Sequence, residues 1–106
     1  MKKYFGISFL FCAFFFVQSC SKKPFACFQS DVNEDSIQVN QLVTFTSACT
    51  SNGDDFFWEF YDNDDSVFFT RNVQKTFGDT GNVKVFLLVS NGNKTSSMTK
   101  NIHVYP

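Results

Sequence analysis

Along residues 55–61 every second side chain is large and apolar: Phe56, Trp58 and Phe60 alternate with Phe57, Glu59 and Tyr61. The same beat runs through Val83, Val85, Leu87 and Val89, with Lys84, Phe86 and Leu88 between them. A strand sends successive side chains to opposite faces, whereas a helix needs a period of 3.6. These two runs therefore demand strands with one face in a core, and Trp58 is the largest group that core must hold.

Shorter alternations accompany them. Ala26 and Phe28, Ile37 and Val39, Val43 and Phe45, and Ile102 and Val104 each skip one residue. Turn formers separate the runs: 31–35, Ser51-Asn52-Gly53-Asp54, Asp62-Asn63-Asp64-Asp65, Gly78-Asp79-Thr80-Gly81 and Asn91-Gly92-Asn93. These residues tolerate positive φ or bond their own backbone. About seven short strands with regularly spaced turns predict an all-β fold, an antiparallel β-sandwich. No amphipathic helix, internal repeat or low-complexity stretch interrupts the pattern.

The N-terminus reads differently. Met1-Lys2-Lys3 is basic, Tyr4 to Val17 carries no charge, and Val17-Gln18-Ser19-Cys20 follows. A basic start, an apolar run and a small residue before a cut describe a secretory signal peptide. The apolar run is shorter than the ~20 residues a spanning helix requires. Val-Gln-Ser-Cys resembles the lipobox of bacterial lipoproteins, with Gln18 in place of the usual small residue. The resemblance implies cleavage before Cys20 and a diacylglycerol thioether on that cysteine. The expected organisation is a cleaved helical signal peptide at 1–19, a lipidated cysteine with a short tether at 20–24, and one folded domain at 25–106. Ser21 after the cysteine fits transfer to the outer membrane of a Gram-negative envelope. The tether reaches ~14 Å at most, so Lys22 and Lys23 would lie at headgroup level, either contacting anionic lipid or merely keeping the tether solvated.

Lys2 and Lys3 fall in the leader, so seven basic residues face ten acidic ones in the rest of the chain. That balance excludes nucleic acid as a partner, which demands a basic footprint. Ten of the sixteen phenylalanines follow the leader, enough to fill a core in so small a domain. Cys12 lies in the leader and Cys20 is committed to lipid, leaving Cys27 and Cys49. An even number in an exported chain reads as a disulfide, the alternative being two free buried thiols. Two cysteines and the lone His103 lack the paired spacing of a zinc site.

The order of strands resembles the PKD domain, an immunoglobulin-like β-sandwich of bacterial surface proteins. The resemblance rests on Val43-Thr44-Phe45-Thr46-Ser47, Phe56 to Asn63, Thr76-Phe77 with Gly81, and Val83 to Gly92. Trp58, Phe60 and Asp62 match the family's Trp-Asp-Phe-Gly-Asp-Gly segment, while Tyr61 and Asn63 replace its two glycines. The departure predicts a different turn after this strand. Ala26-Cys27-Phe28, with a cysteine after the second strand, also resembles a PKD subset whose bridge joins the first two strands. The resemblance implies spacer, adhesion, or protein- and carbohydrate-binding roles, without catalysis or a cofactor.

The residues agree that the chain is not an enzyme. No glycine-flanked serine, free cysteine nucleophile or phosphate loop is present to work with His103. Asp62, Asp64 and Asp65 are weak calcium candidates, without the glycine and distal glutamate of an EF-hand loop. Asp35-Ser36-Ile37 and Asp65-Ser66-Val67 resemble a bacterial O-glycosylation sequon. The more telling positions are those between the core residues. If Trp58 and Leu87 point inward, Phe57, Phe86 and Leu88 point outward on neighbouring strands. With Tyr61 they form a candidate binding face for an envelope protein or, alternatively, a glycan. The other possibility is that residues 64–70, with Phe68 and Phe69, fold over and cover them.

Overall fold

The computed structural model describes residues 22–106. The expected signal peptide at 1–19, with Cys12, and the expected lipidation site at Cys20 lie outside the described residues.

The strands are β1 (Gln29–Ser30), β2 (Ile37–Gln38), β3 (Val43–Thr46), β4 (Asp55–Tyr61), β5 (Ser66–Phe68), β6 (Asn72–Lys75), β7 (Gly81–Asn91) and β8 (Lys94–Tyr105). They form a three-stranded sheet, β1-β3-β6, packed on a five-stranded sheet, β2-β8-β7-β4-β5. Each alternation read from the sequence delivers its apolar set to the space between the sheets. Phe28 and Phe45 come from one side, and Trp58, Phe60, Val85, Leu87 and Val104 from the other, all essentially excluded from solvent. The rings interlock edge to face: Phe28 and Trp58 at 5.2 Å, Phe45 and Phe60 at 5.2 Å, Phe45 and Phe77 at 6.4 Å. This is the geometry that aromatic quadrupoles favour. The Trp58 indole N–H donates to the Thr70 carbonyl at 2.8 Å, so the buried ring leaves no polar atom unpaired.

Three features depart from the expected plan. Among the described residues the strands number eight, and two of them are long. β8 in particular runs twelve residues, although only Ile102 and Val104 announce it in the sequence. Its first half is held by pairing with β7 through a two-residue hairpin, in which Gly92 supplies φ of 66° at the first turn position. The sandwich is also not wholly antiparallel, because β2 runs parallel to the end of β8, with Ile37 opposite Val104. Finally, the ordered fold begins before Phe25. Pro24 is buried, and the Asn91 side-chain amide donates to the Lys22 carbonyl at 3.1 Å. Part of the expected tether is therefore docked on the domain.

Cys27 and Cys49 form the disulfide, with Cα atoms 5.3 Å apart. It ties the segment before β1 to the segment after β3, next to the backbone bridge between Phe25 and Ser51. Cys49 follows the third strand rather than the second because Ile37–Gln38 is a strand of the opposite sheet.

Candidate binding face

The outer side of the five-stranded sheet is assembled by register. Phe57 lies opposite Leu88, and Glu59 opposite Phe86, between β4 and β7. On the other flank of β4, Val67 of β5 lies opposite Glu59. Residues 64–70 do not fold over this surface. Ser66–Phe68 instead extends the sheet as its edge strand, and its own alternation sorts the two phenylalanines. Phe68 points inward and packs on Phe60 at 5.8 Å. Phe69 emerges on the outer side with its ring 5.5 Å from Phe57, itself 6.5 Å from Phe86.

Phe57, Phe86 and Leu88 are half-buried, while Phe69 is 72% and Val67 45% exposed. Phe69 thus enlarges the apolar patch instead of sealing it. The corresponding outer positions of the three-stranded sheet are Gln29, Thr44, Thr46, Asn72 and Gln74. The outer face of the five-stranded sheet thus carries an apolar patch beside polar β8 positions, whereas the outer face of the three-stranded sheet carries none. Contiguous exposed apolar groups on a folded domain mark contact sites.

At one margin of the patch Tyr61 donates its hydroxyl to Glu59 at 3.0 Å, and the Lys84 ammonium stands 5.3 Å over the Tyr61 ring. The hydrogen bond to Glu59, with some desolvation and the nearby carboxylates of Glu59 and Asp65, raises the Tyr61 pKa above the ordinary tyrosine value. Thr99 and Ser97 of β8 face Phe86 and Leu88 and bound the patch on its other side.

Trp58 and Phe60, the motif residues, belong to the core and not to this face. Asp62 has a separate task. Its carboxylate pairs with the Lys75 ammonium at 2.9 Å, and both side chains are nearly buried. Lys75 occupies an inward position of β6, donates also to Ser66 Oγ at 3.2 Å, and lies over the rings of Phe60 and Phe77. A cation already stands where a calcium ion would be held by Asp62. Among the described residues no group of three His, Cys, Asp or Glu side chains could hold a metal ion. The turn after β4 differs from the glycine pattern as expected: its left-handed residue is Asp65, with φ of 47°, not Tyr61 or Asn63. Asn63 reaches across to Asp79 at the rim of a polar cleft of about 360 Å³. His103 is engaged with Asn82 at 2.7 Å and packs on Tyr105. Of the two sequon-like serines, Ser36 is exposed and Ser66 is held by Lys75.

Val67 and Phe69 are the face residues that sequence reading missed. The only signal for them was a run of three apolar residues, Val67-Phe68-Phe69, next to an acidic turn that reads as loop.

No family model matches the sequence, and no curated protein is significantly similar to it. Solved structures are similar to it. One comes from a study of the promiscuous specificity of carbohydrate-binding modules of the β-sandwich superfamily; it has a TM-score of 0.64 and 21% identity. That match takes in 79% of this chain and 35% of the other, so this chain spans about a third of its length. The PKD1 domain of the Vibrio cholerae metalloprotease PrtV has a TM-score of 0.62 and 17% identity, over 80% of this chain and all of that domain. The PKD1 domain of Vibrio anguillarum Epp has a TM-score of 0.58 and 14% identity, over 79% and 95% of the two chains. At these identities the likeness is one of fold, and the fold is a PKD-like, immunoglobulin-like β-sandwich.

Proposed function

We propose that the chain is an exported envelope lipoprotein, held to a membrane through Cys20, most simply the outer membrane. In this reading its PKD-like domain is a non-catalytic protein-binding module. The observation that carries the binding role is the outer face of the five-stranded sheet. Phe69, Phe57, Phe86 and Leu88 present an apolar cluster at an open sheet edge, with Val67 on the edge strand across Glu59 from Phe86. Fold alone does not assign a role; the patch supports a binding one, because burying it against a partner removes apolar area from water. A solved β-sandwich of similar fold comes from carbohydrate-binding modules, which supports a second reading in which the rings stack on sugars. The ring geometry favours protein. Phe57 is inclined by 56° to Phe69 and by 70° to Phe86, so the three do not form one flat platform for a sugar face.

The test is retention of partners from the native envelope after crosslinking, run beside a glycan array, with the wild type and a Phe69→Ala/Phe86→Ala variant. A protein partner lost in the variant supports the proposal. Array binding lost in the variant, with no protein retained, supports the sugar reading. Equal capture by both proteins contradicts a role for this face.

A further inference from the structure

The charges of the domain are sorted along its length, and the sorting has a direction. At the end where the chain emerges, the Asn91 amide holds the Lys22 carbonyl at 3.1 Å and the Asn52 carbonyl at 3.0 Å. Phe25 and Ser51 exchange two backbone hydrogen bonds there, at 3.0 and 3.2 Å. Four basic side chains surround this junction: Lys22 and Lys23 beside it, Lys94 on the adjoining hairpin, and Arg71, whose guanidinium covers Phe56 at 4.6 Å. Two acidic residues, Asp54 and Asp55, share the end with them. The opposite half is acidic. Its turn after β4 carries Asp62, Asp64 and Asp65 with Asp79 across the cleft, and its 31–35 loop carries Asp31, Glu34 and Asp35. Two of the lysines in that half, Lys75 and Lys100, are already paired with Asp62 and Glu34.

We infer that the basic end is a docking surface for an anionic lipid bilayer, with Phe25 seated among the headgroups and the acidic end pointing away. Phe25 is 63% exposed beside Lys22 and Lys23, an apolar ring flanked by cations as on surfaces that enter the headgroup boundary. The inference deepens the lipoprotein reading and rests on it for the direction of approach. Because Lys22 is pinned to the domain, only the two steps from Cys20 to Lys22 remain to span, about 7 Å when extended. That is within one Debye length of roughly 8 Å at physiological salt, so the basic side chains would feel the membrane field. Each such residue near an anionic surface strengthens binding roughly fivefold.

The mature chain carrying Cys20→Ser retains the disulfide and every buried core residue of the described domain, so it can be tested without lipid. Its partitioning is measured by co-sedimentation with phosphatidylcholine vesicles, with and without phosphatidylglycerol. Preferential binding to the anionic vesicles at low salt, abolished at high salt, is expected. Lys23→Gln should weaken it several-fold, whereas Lys84→Gln, an equal change of net charge away from this end, should leave it nearly unchanged. Phe25→Ala should weaken it as well. Equal effects of the two lysine changes, or no preference for anionic vesicles in low salt, would overturn the inference. Intact-mass measurement of the native protein reads the anchor separately. Absence of the diacylglycerol mass sinks the lipoprotein reading even if the vesicle preference stands.

Discussion

Replacing Asp62 with alanine tests how the buried charge is handled. The Lys75 ammonium and the Asp62 carboxylate are 2.9 Å apart, with side chains 8% and 13% exposed. Removing the carboxylate leaves the ammonium with Ser66 Oγ and the faces of two phenylalanines. Breaking a buried pair from one side costs about 3 kcal/mol or more, because the surviving charge has lost its compensation. Lys75→Met removes the charge but keeps an unbranched stem against Phe60 and Phe77, and Asp62 still accepts from the Asp64 N–H at 3.2 Å. Stranding the carboxylate is expected to cost about 3 kcal/mol as well. The double variant should cost no more than Lys75→Met alone, since neither charge is then left stranded. Urea unfolding with the disulfide intact reads these differences. At a slope of about 1 kcal/mol per molar for a small domain, Asp62→Ala should lower the midpoint by about 3 M. A double variant whose loss equals the sum of the two single losses would falsify the reasoning. So would a wild-type melting temperature raised by calcium and a rise absent from Asp62→Ala, because the carboxylate would then be a metal ligand.

Other expectations follow from single contacts. Reducing the Cys27–Cys49 bridge, or replacing both cysteines by alanine, should cost about 3 kcal/mol for a closed loop of this separation of 22 residues, read as a lower midpoint in urea. Gly53→Ala should destabilise by about 1–3 kcal/mol, because a Cβ there would come within 2.3 Å of Val89 Cγ1 in the core; unchanged thermal unfolding would contradict it. Glu59→Gln should bring the Tyr61 titration back down toward the ordinary tyrosine value, followed by ultraviolet absorbance. The sign of the linkage is fixed by the raised pKa: whatever stability this pair contributes is present below the unfolded tyrosine pKa and lost as pH climbs through the folded one.

The residues that shape the core were legible because the largest apolar groups recur at every second position. Trp58 with its neighbours, and Val83 through Val89, admit one strand phase only, and a slip by one would expose them all. The strands that escaped reading are those whose own side chains carry little of the pattern. Lys94 to Lys100 is nearly all polar and becomes a strand because the Gly92 turn lays it against β7. Asn72–Lys75 contributes Val73 and a lysine to the interior, and no sequence rule places a lysine there without sight of Asp62 across the gap. The face was half legible. Phe57, Phe86 and Leu88 follow from the phase of β4 and β7, but their company does not. Whether Phe69 covers or extends the patch depends on β5 folding back on β4 as the edge of the sheet, a hairpin that a three-residue strand after an acidic turn does not announce. The charge polarity along the domain was equally invisible, since it arises from loops distant in sequence that the topology gathers at the same end.

The central claim is that the partner sits on the apolar outer face of the five-stranded sheet. It is tested most directly by photo-crosslinking in the native envelope, with a photoreactive residue placed at Phe69 or Phe86 in one set of cells and at Gln74, on the polar sheet, in another. Discrete adducts to a protein from positions 69 and 86, and none from 74, are the expected result. Adducts from position 74 alone would place the contact on the polar sheet and contradict the account.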